Sequence, residues 1–231
     1  MSKIDIQLPA YEDMIKAGMH FGRKKTIFHP NMAPFVHILK DNIYILDLIK
    51  TGDYLQSAAE FIKNSISEGK LVLFVGLTKQ SVQAIKTTAQ AMGMPYVTER
   101  WLGGTLTNFK TITSRVKFLE DLESKLASGE LEKYTKKERV IKQREIESLR
   151  KKFDGLRKLT RVPDIVFVSS VKESQLPIRE SKYANVKVVG IINTNSNPKQ
   201  IDYPIPANDN SKKSVELILE TIKNAVLDNK N

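Results

Sequence analysis

Two glycine-bearing turns, one basic triplet and three histidines are the places in this chain where residue type and spacing offer chemistry. The first turn lies in Arg100-Trp101-Leu102-Gly103-Gly104-Thr105-Leu106-Thr107-Asn108-Phe109, which carries the only tryptophan and the only double glycine. A glycine turn that opens a helix can wrap a phosphate in backbone amides. The nucleotide-binding version reads GxxxxGK[ST], yet after Gly104 lysine arrives only at Lys110. GxGxxG is absent as well, which removes the dinucleotide fingerprint. The turn is therefore expected to supply a tight backbone path, with Thr105, Thr107 or Asn108 capping the helix and Trp101 packing beneath it as an apolar anchor.

The second turn, within Phe74-Val-Gly-Leu-Thr-Lys-Gln80, follows an apolar run and could offer Thr78 and Lys79 to a ligand, but one glycine is more consistent with a solvated strand-to-helix turn. His20, His29 and His37 are the only histidines, and their spacing matches no helical metal pair, so structural or RNA-facing roles are expected and no metal is. The loops 193–202 and 203–210 contain carboxylates in no acid/base arrangement. No catalytic residues and no cofactor are assigned. Arg23-Lys24-Lys25, read as a loop beside His20, Phe21 and His29, places cations and planar rings where phosphates and unstacked bases would meet them.

Composition points the same way. The chain has 231 residues, 37 Lys and Arg against 26 Asp and Glu, and a net charge of +11, so its natural partners are polyanions. Hydrophobic residues make up 41%, enough for a buried core. The absence of cysteine excludes disulfides and thiol chemistry and fits a reducing compartment. Neither a signal-peptide run nor a stretch of about 20 apolar residues occurs, so a cytoplasmic protein without a membrane partner is expected.

The elements that would position these residues alternate between two periodicities. Residues 35–39 and 43–47 flank Lys40-Asp41-Asn42 as a β-hairpin. Residues 71–76, 165–169 and 186–192 are nearly continuous apolar runs, as strands buried on both faces of a parallel sheet must be. Helical patterns cover 51–68, 79–92 and 211–227, the last with Val215, Ile218, Ile222 and Val226 on one stripe after a proline-rich loop at 203–210. Strand and helix alternate, which predicts a doubly wound α/β domain.

Residues 107–158 carry no strand signal. Phe109, Ile112, Val116, Leu119, Leu122 and Leu126 step by three or four along a first helical arm, and Ser128-Gly129-Glu130 breaks it. Thr135-Lys-Lys-Glu138 has the form of a capping box and opens a second arm through Ile141, Ile146, Leu149, Phe153 and Leu156, with Gly155 near the return to the core. Arms of about 24 residues would be about 36 Å long, which predicts a projecting antiparallel hairpin. Residues 110–133 hold five basic and five acidic residues, whereas 134–158 hold ten basic and four acidic, a net +6. The second arm is the candidate for contact with a polyanion.

Ala17-Gly-Met-His-Phe-Gly22, Ile45-Leu-Asp-Leu48, Leu73-Phe-Val-Gly76, RWLGGTLTNFKTI, Pro163-Asp164 and Ile201-Asp-Tyr-Pro-Ile-Pro-Ala-Asn-Asp209 together resemble the bacterial-type second protein of the small ribosomal subunit, in order over nearly the whole chain. The resemblance implies a flavodoxin-like doubly wound parallel sheet in the α/β class, with an inserted α-helical coiled-coil hairpin. The corresponding divisions are a discontinuous core at 7–106 and 159–227, an insertion at 107–158, and flexible ends at 1–6 and 228–231. It also implies a structural protein, not an enzyme, that binds small-subunit rRNA near the head–body junction and helps to dock the large multi-domain first small-subunit protein, which captures mRNA. The expected RNA-facing set is Arg23, Lys24, Lys25, Arg100, Asn108, Lys110, Arg115, Lys136, Lys137, Arg139, Arg144, Arg150, Lys151 and Lys152. Three positions depart from the family's usual residues: Arg23 stands for histidine, Asn193 for aspartate, and Ser169-Ser170 for Val-Asp. Competing readings are an α/β enzyme acting on a nucleotide or phosphorylated metabolite, and a coiled-coil adapter that binds only protein.

Overall fold

The computed structural model describes residues 6–129, 133 and 135–227, and the expectation of flexible ends therefore falls, apart from Ile6, outside the described residues. Ile6 itself is buried in the core. In chain order the elements are α1 (Tyr11–Lys16), β1 (Phe21–Lys24), β2 (Val36–Lys40), β3 (Ile43–Leu46), α2 (Leu48–Ser67), β4 (Val72–Val75), α3 (Val82–Met92) and β5 (Tyr96–Val97). There follow α4 (Phe109–Ala127), α5 (Lys136–Phe153), β6 (Ile165–Val168), α6 (Gln175–Tyr183), β7 (Lys187–Ile192), β8 (Tyr203–Pro206) and α7 (Lys212–Leu227).

Five strands form a parallel sheet in the order β5-β4-β6-β7-β8, and β1-β3-β2 form a separate antiparallel sheet. The central strands β4 and β6 are buried at every position, which explains their unbroken apolar sequence. Alternation along them divides the core. Val72, Phe74, Ile165, Phe167, Val189, Ile191 and Ile205 join a cluster with α2, α3 and α7, while Leu73, Val75, Val166, Val168, Val188 and Ile192 join one with α4, α6 and the end of α5. Helices thus cover both faces, as predicted.

Local chemistry accounts for the boundaries. The hairpin between β2 and β3 turns on Asp41 and Asn42, both at positive φ (49° and 61°), a two-residue turn that short polar side chains tolerate. Asp47 starts α2 at Leu48 by accepting the amide of Ile49 at 3.0 Å. The capping box at α5 forms as its sequence predicts: Thr135 accepts the Glu138 amide, and Glu138 accepts that of Thr135 at 2.9 Å.

Several expectations are corrected. Residues 203–206, read as part of a proline-rich loop, form β8; it is an edge strand, where Pro204 and Pro206 lack only outward-facing amides. Arg23 and Lys24 lie on strand β1 rather than in a loop, and Lys25 begins the 3-10 turn after it. The arms are shorter than expected, 19 and 18 residues, or about 28 Å each. Ile112, Val116, Leu119 and Leu122 of α4 and Ile146 and Phe153 of α5 are buried, but Leu126 and Ile141 are exposed (43% and 55%), because two helices bury only the stripe between them nearest the core.

One ion cluster ties this helix pair to its root. Glu123 of α4 accepts both Arg157 (2.8 and 2.9 Å) and Arg150, and Arg157 also donates to Asp154 at 2.9 Å. The hydrogen bonds from Arg157 hold the Glu123 carboxyl down at about 2 against the opposing effect of burial, with Arg150 adding to them. A depressed native pKa contributes stability above the unfolded value of 4.5 and loses it as pH falls toward about 2. Acid titration should therefore cost the parent about 2 kcal/mol, allowing for solvent screening, between roughly pH 5 and pH 2 beyond what Glu123→Gln loses, as read by urea melts at stepped pH. Equal acid sensitivity in the two proteins would remove Glu123 as the cause.

Candidate nucleic-acid interface

The turn before α4 wraps an anion, and that anion belongs to the chain. Glu180 of α6 is 5% exposed, and its Oε1 accepts Trp101 Nε1 at 3.0 Å and the Gly104 amide at 2.9 Å, while its Oε2 accepts the Leu106 amide at 3.0 Å. A buried carboxylate is tolerated only when such donors replace its water. Gly104 sits at φ +90°, and a side chain there would also press on Asn108, so the second glycine of the pair is required by backbone conformation. None of the expected caps accepts a helix amide. Thr105 donates its hydroxyl to Leu102 O at 2.6 Å, Asn108 Oδ1 accepts the Thr111 hydroxyl at 2.9 Å, and Glu180 takes the amides of the turn. Trp101 is buried beneath the turn, as expected.

The second glycine turn is likewise internal. A Cβ on Gly76 would meet Ile85 at 2.6 Å, so this glycine lets α3 approach β4, and the Thr78 hydroxyl donates to Ser81 at 2.9 Å. His29 Nδ1 accepts the Asn31 amide at 3.2 Å, His37 is exposed on β2, and burial lowers the pKa of His20.

At the carboxyl ends of β6, β7 and β8, where parallel α/β sheets take their ligands, the chain supplies its own guanidinium. Arg23 Nη2 donates to Asp209 Oδ1 at 2.9 Å. Ser170 donates to Asp209 Oδ2 at 2.6 Å, Asn193 Nδ2 to Oδ1 at 2.9 Å, and the Arg23 amide to Thr194 Oγ1 at 2.8 Å. Arg23, Ser170 and Asn193 therefore converge on one carboxylate that is 1% exposed. Gly22 permits the approach, since a Cβ there would lie 2.7 Å from both Thr194 and Tyr44 O.

The remaining cations of the expected set divide by what they touch. Arg23 is held by Asp209 and Arg150 by Glu123. Lys24, Lys25, Arg100, Lys110, Arg115, Lys137, Arg139, Arg144, Lys151 and Lys152 are exposed and form no ion pair among the described residues; Asn108 is exposed at the start of α4. The Lys136 side chain lies outside the described residues. Lys137, Arg144 and Lys151 recur every seven residues along α5, opposite the stripe of Ile146 and Phe153, so they form one outward cationic row. Sequence reasoning found this arm through its net charge but missed Glu180, whose partners lie 74 to 79 residues away, and Asp209, whose partners lie 16, 39 and 186 residues away.

Comparison with known proteins follows the same direction. The family described as ribosomal protein S2 matches residues 14–229. The chain is 40% identical over 217 residues to a protein of Coprothermobacter proteolyticus named small ribosomal subunit protein uS2, covering 94% of this chain and 81% of that one. It is 39% identical over 219 residues to small ribosomal subunit protein uS2c of Rhodomonas salina (95% and 90%), and 40% identical over 216 residues to the uS2 protein of Acidothermus cellulolyticus (93% and 78%).

Glu180→Gln keeps the shape of the side chain but points an amide donor at an amide donor of the turn. A stability loss of about 2 kcal/mol is expected in denaturant melts, with a red shift of Trp101 emission, whereas exposed Glu173→Gln should stay within about 0.5 kcal/mol. An unshifted Trp101 spectrum with parental stability would show that the carboxylate does not hold the turn.

Proposed function

The chain belongs to the ribosomal protein S2 family, and on that premise we propose that it is a structural constituent of the small ribosomal subunit that binds the subunit's rRNA chiefly through phosphate contacts. The family is structural, so the chain is no enzyme. The observation that carries the RNA reading is the outward row of Lys137, Arg144 and Lys151, without ion pairs among the described residues and set on a helix pair whose preceding turn is held by Glu180. Point charges spaced along a helix suit a phosphodiester backbone, where contact positions the protein without reading sequence.

The finer architecture fits this reading. Counted in chain order, the parallel strands run 2-1-3-4-5, the order of flavodoxin-like sheets, and α4 with α5 supports an inserted coiled-coil hairpin at 107–158 within a core of 7–106 and 159–227. The RNA-facing set keeps Lys24, Lys25, Arg100, Asn108, Lys110, Arg115, Lys136, Lys137, Arg139, Arg144, Lys151 and Lys152, with Arg23 and Arg150 acting through internal ion pairs. A cytoplasmic ribosome, a place near the head–body junction and docking of the large first small-subunit protein complete the proposal. An enzymatic role finds no support at the usual ligand crevice, where Arg23 fills the place opposite Asp209.

Equilibrium binding to small-subunit rRNA over a salt series tests the proposal. Affinity should fall linearly in log–log form, and Lys137→Gln with Arg144→Gln should reduce the slope by about 1.5 through two lost phosphate contacts, with melting unchanged. Affinity independent of salt in the parent would overturn the phosphate mechanism.

A further inference from the structure

Where the helix pair returns to the core, a cleft of about 590 Å³ opens between α3, the end of β5 and the end of α5. Five cations line it: Lys86 from the core, and Arg150, Lys151, Lys152 and Arg157 from the arm and its return. Three carboxylates line it too, but Glu123 is bound to Arg150 and Arg157, and Asp154 to Arg157. What remains is Lys86, Lys151 and Lys152, exposed and without ion pairs among the described residues, against Glu99 alone. The cleft is built rather than incidental. Gly155 passes so close to Tyr96 that a Cβ would collide with its carbonyl and ring, and Glu123 clamps the two arginines on the other wall.

We propose that this cleft holds a strand of rRNA by its phosphates, gripped from one side by the core through Lys86 and from the other by the hairpin through Lys151 and Lys152. The inference rests on the rRNA-binding reading and deepens it: the RNA spans the junction and fixes the angle between hairpin and core. A backbone contact is favoured over a base contact because Tyr96, the aromatic residue of the cleft, is buried under Gly155 and offers no face for stacking. A small phosphorylated ligand is disfavoured because exposed lysines act as separate point charges, suited to successive phosphates, and the fork of Arg157, which could clasp one phosphate, is occupied by Glu123 and Asp154.

The test uses the full chain and intact small-subunit rRNA. Lys86→Gln should reduce the salt slope of binding by about 0.7–0.9, and Lys213→Gln on α7, exposed outside this cleft, should leave it unchanged. Because the chain has no cysteine, iron–EDTA tethered at Lys86→Cys and, separately, at Lys152→Cys should cleave the rRNA at overlapping nucleotides. If the parent binds rRNA with a normal salt slope but Lys86→Gln keeps that slope and the two cleavage patterns are disjoint, the cleft proposal fails while the function survives. If the parent does not bind rRNA, the underlying reading fails first. Inorganic phosphate that displaces rRNA more strongly than chloride at equal ionic strength, in the parent but not in Lys86→Gln, would make this a small-anion site and overturn the proposal.

Discussion

A carboxylate buried without a cation governs how this molecule is put together. Glu180 gives up its hydration and is compensated by an indole N–H and two backbone amides, all from residues 101–106. That exchange is favourable only in one geometry, since each donor must lie near 3 Å and the turn must place two amides around one side chain. The positive φ of Gly104 makes the path possible, and Trp101, buried against the sheet, supplies both a donor and an apolar wedge. The constraint couples three parts of the chain: α6 on the sheet, the segment leaving β5, and the turn that precedes α4. The direction in which α4 departs is set there.

The other end of the helix pair is fixed by different chemistry. Gly155 lies against Tyr96 at β5, and the Glu123 cluster bridges α4 to the return segment. The pair is thus rooted at entry by a desolvated anion and at exit by close packing and a partly solvated ion cluster. Meanwhile the crevice where an α/β sheet usually binds ligands is closed by Arg23, Asp209, Ser170 and Asn193. The fold acts here as a base, and among the cations it exposes are the outward row along α5 and the group at the junction of that arm with the core, where a large polyanion can reach them.

Legibility in the sequence followed the range of the interactions. β4, β6 and β7 were readable because strands buried on both faces need unbroken apolar runs; the stripe of α7 and the capping box of α5 were readable because each is complete within a few residues. β5 is only two residues long, and β8 carries two prolines that an edge strand accepts, so both escaped. α6 was hidden because much of its buried face is polar or charged, Glu180 and Ser181 included. The candidate interface divided in the same manner. Net charge pointed to α5, but Lys86 joins Lys151 and Lys152 only through folding, and Arg23 looked free until Asp209 was seen beside it.

The central claim is that Glu180 fixes the orientation of the helix pair on the core. Pulsed electron resonance between spin labels at Gln83→Cys on α3 and Lys125→Cys near the end of α4 measures that orientation directly, and the cysteine-free background makes the labels unique. The account predicts one narrow distance distribution in the otherwise parental protein and a broadened or shifted one when Glu180→Gln is added under conditions where the core remains folded. A narrow, unchanged distribution in the presence of Glu180→Gln would contradict it.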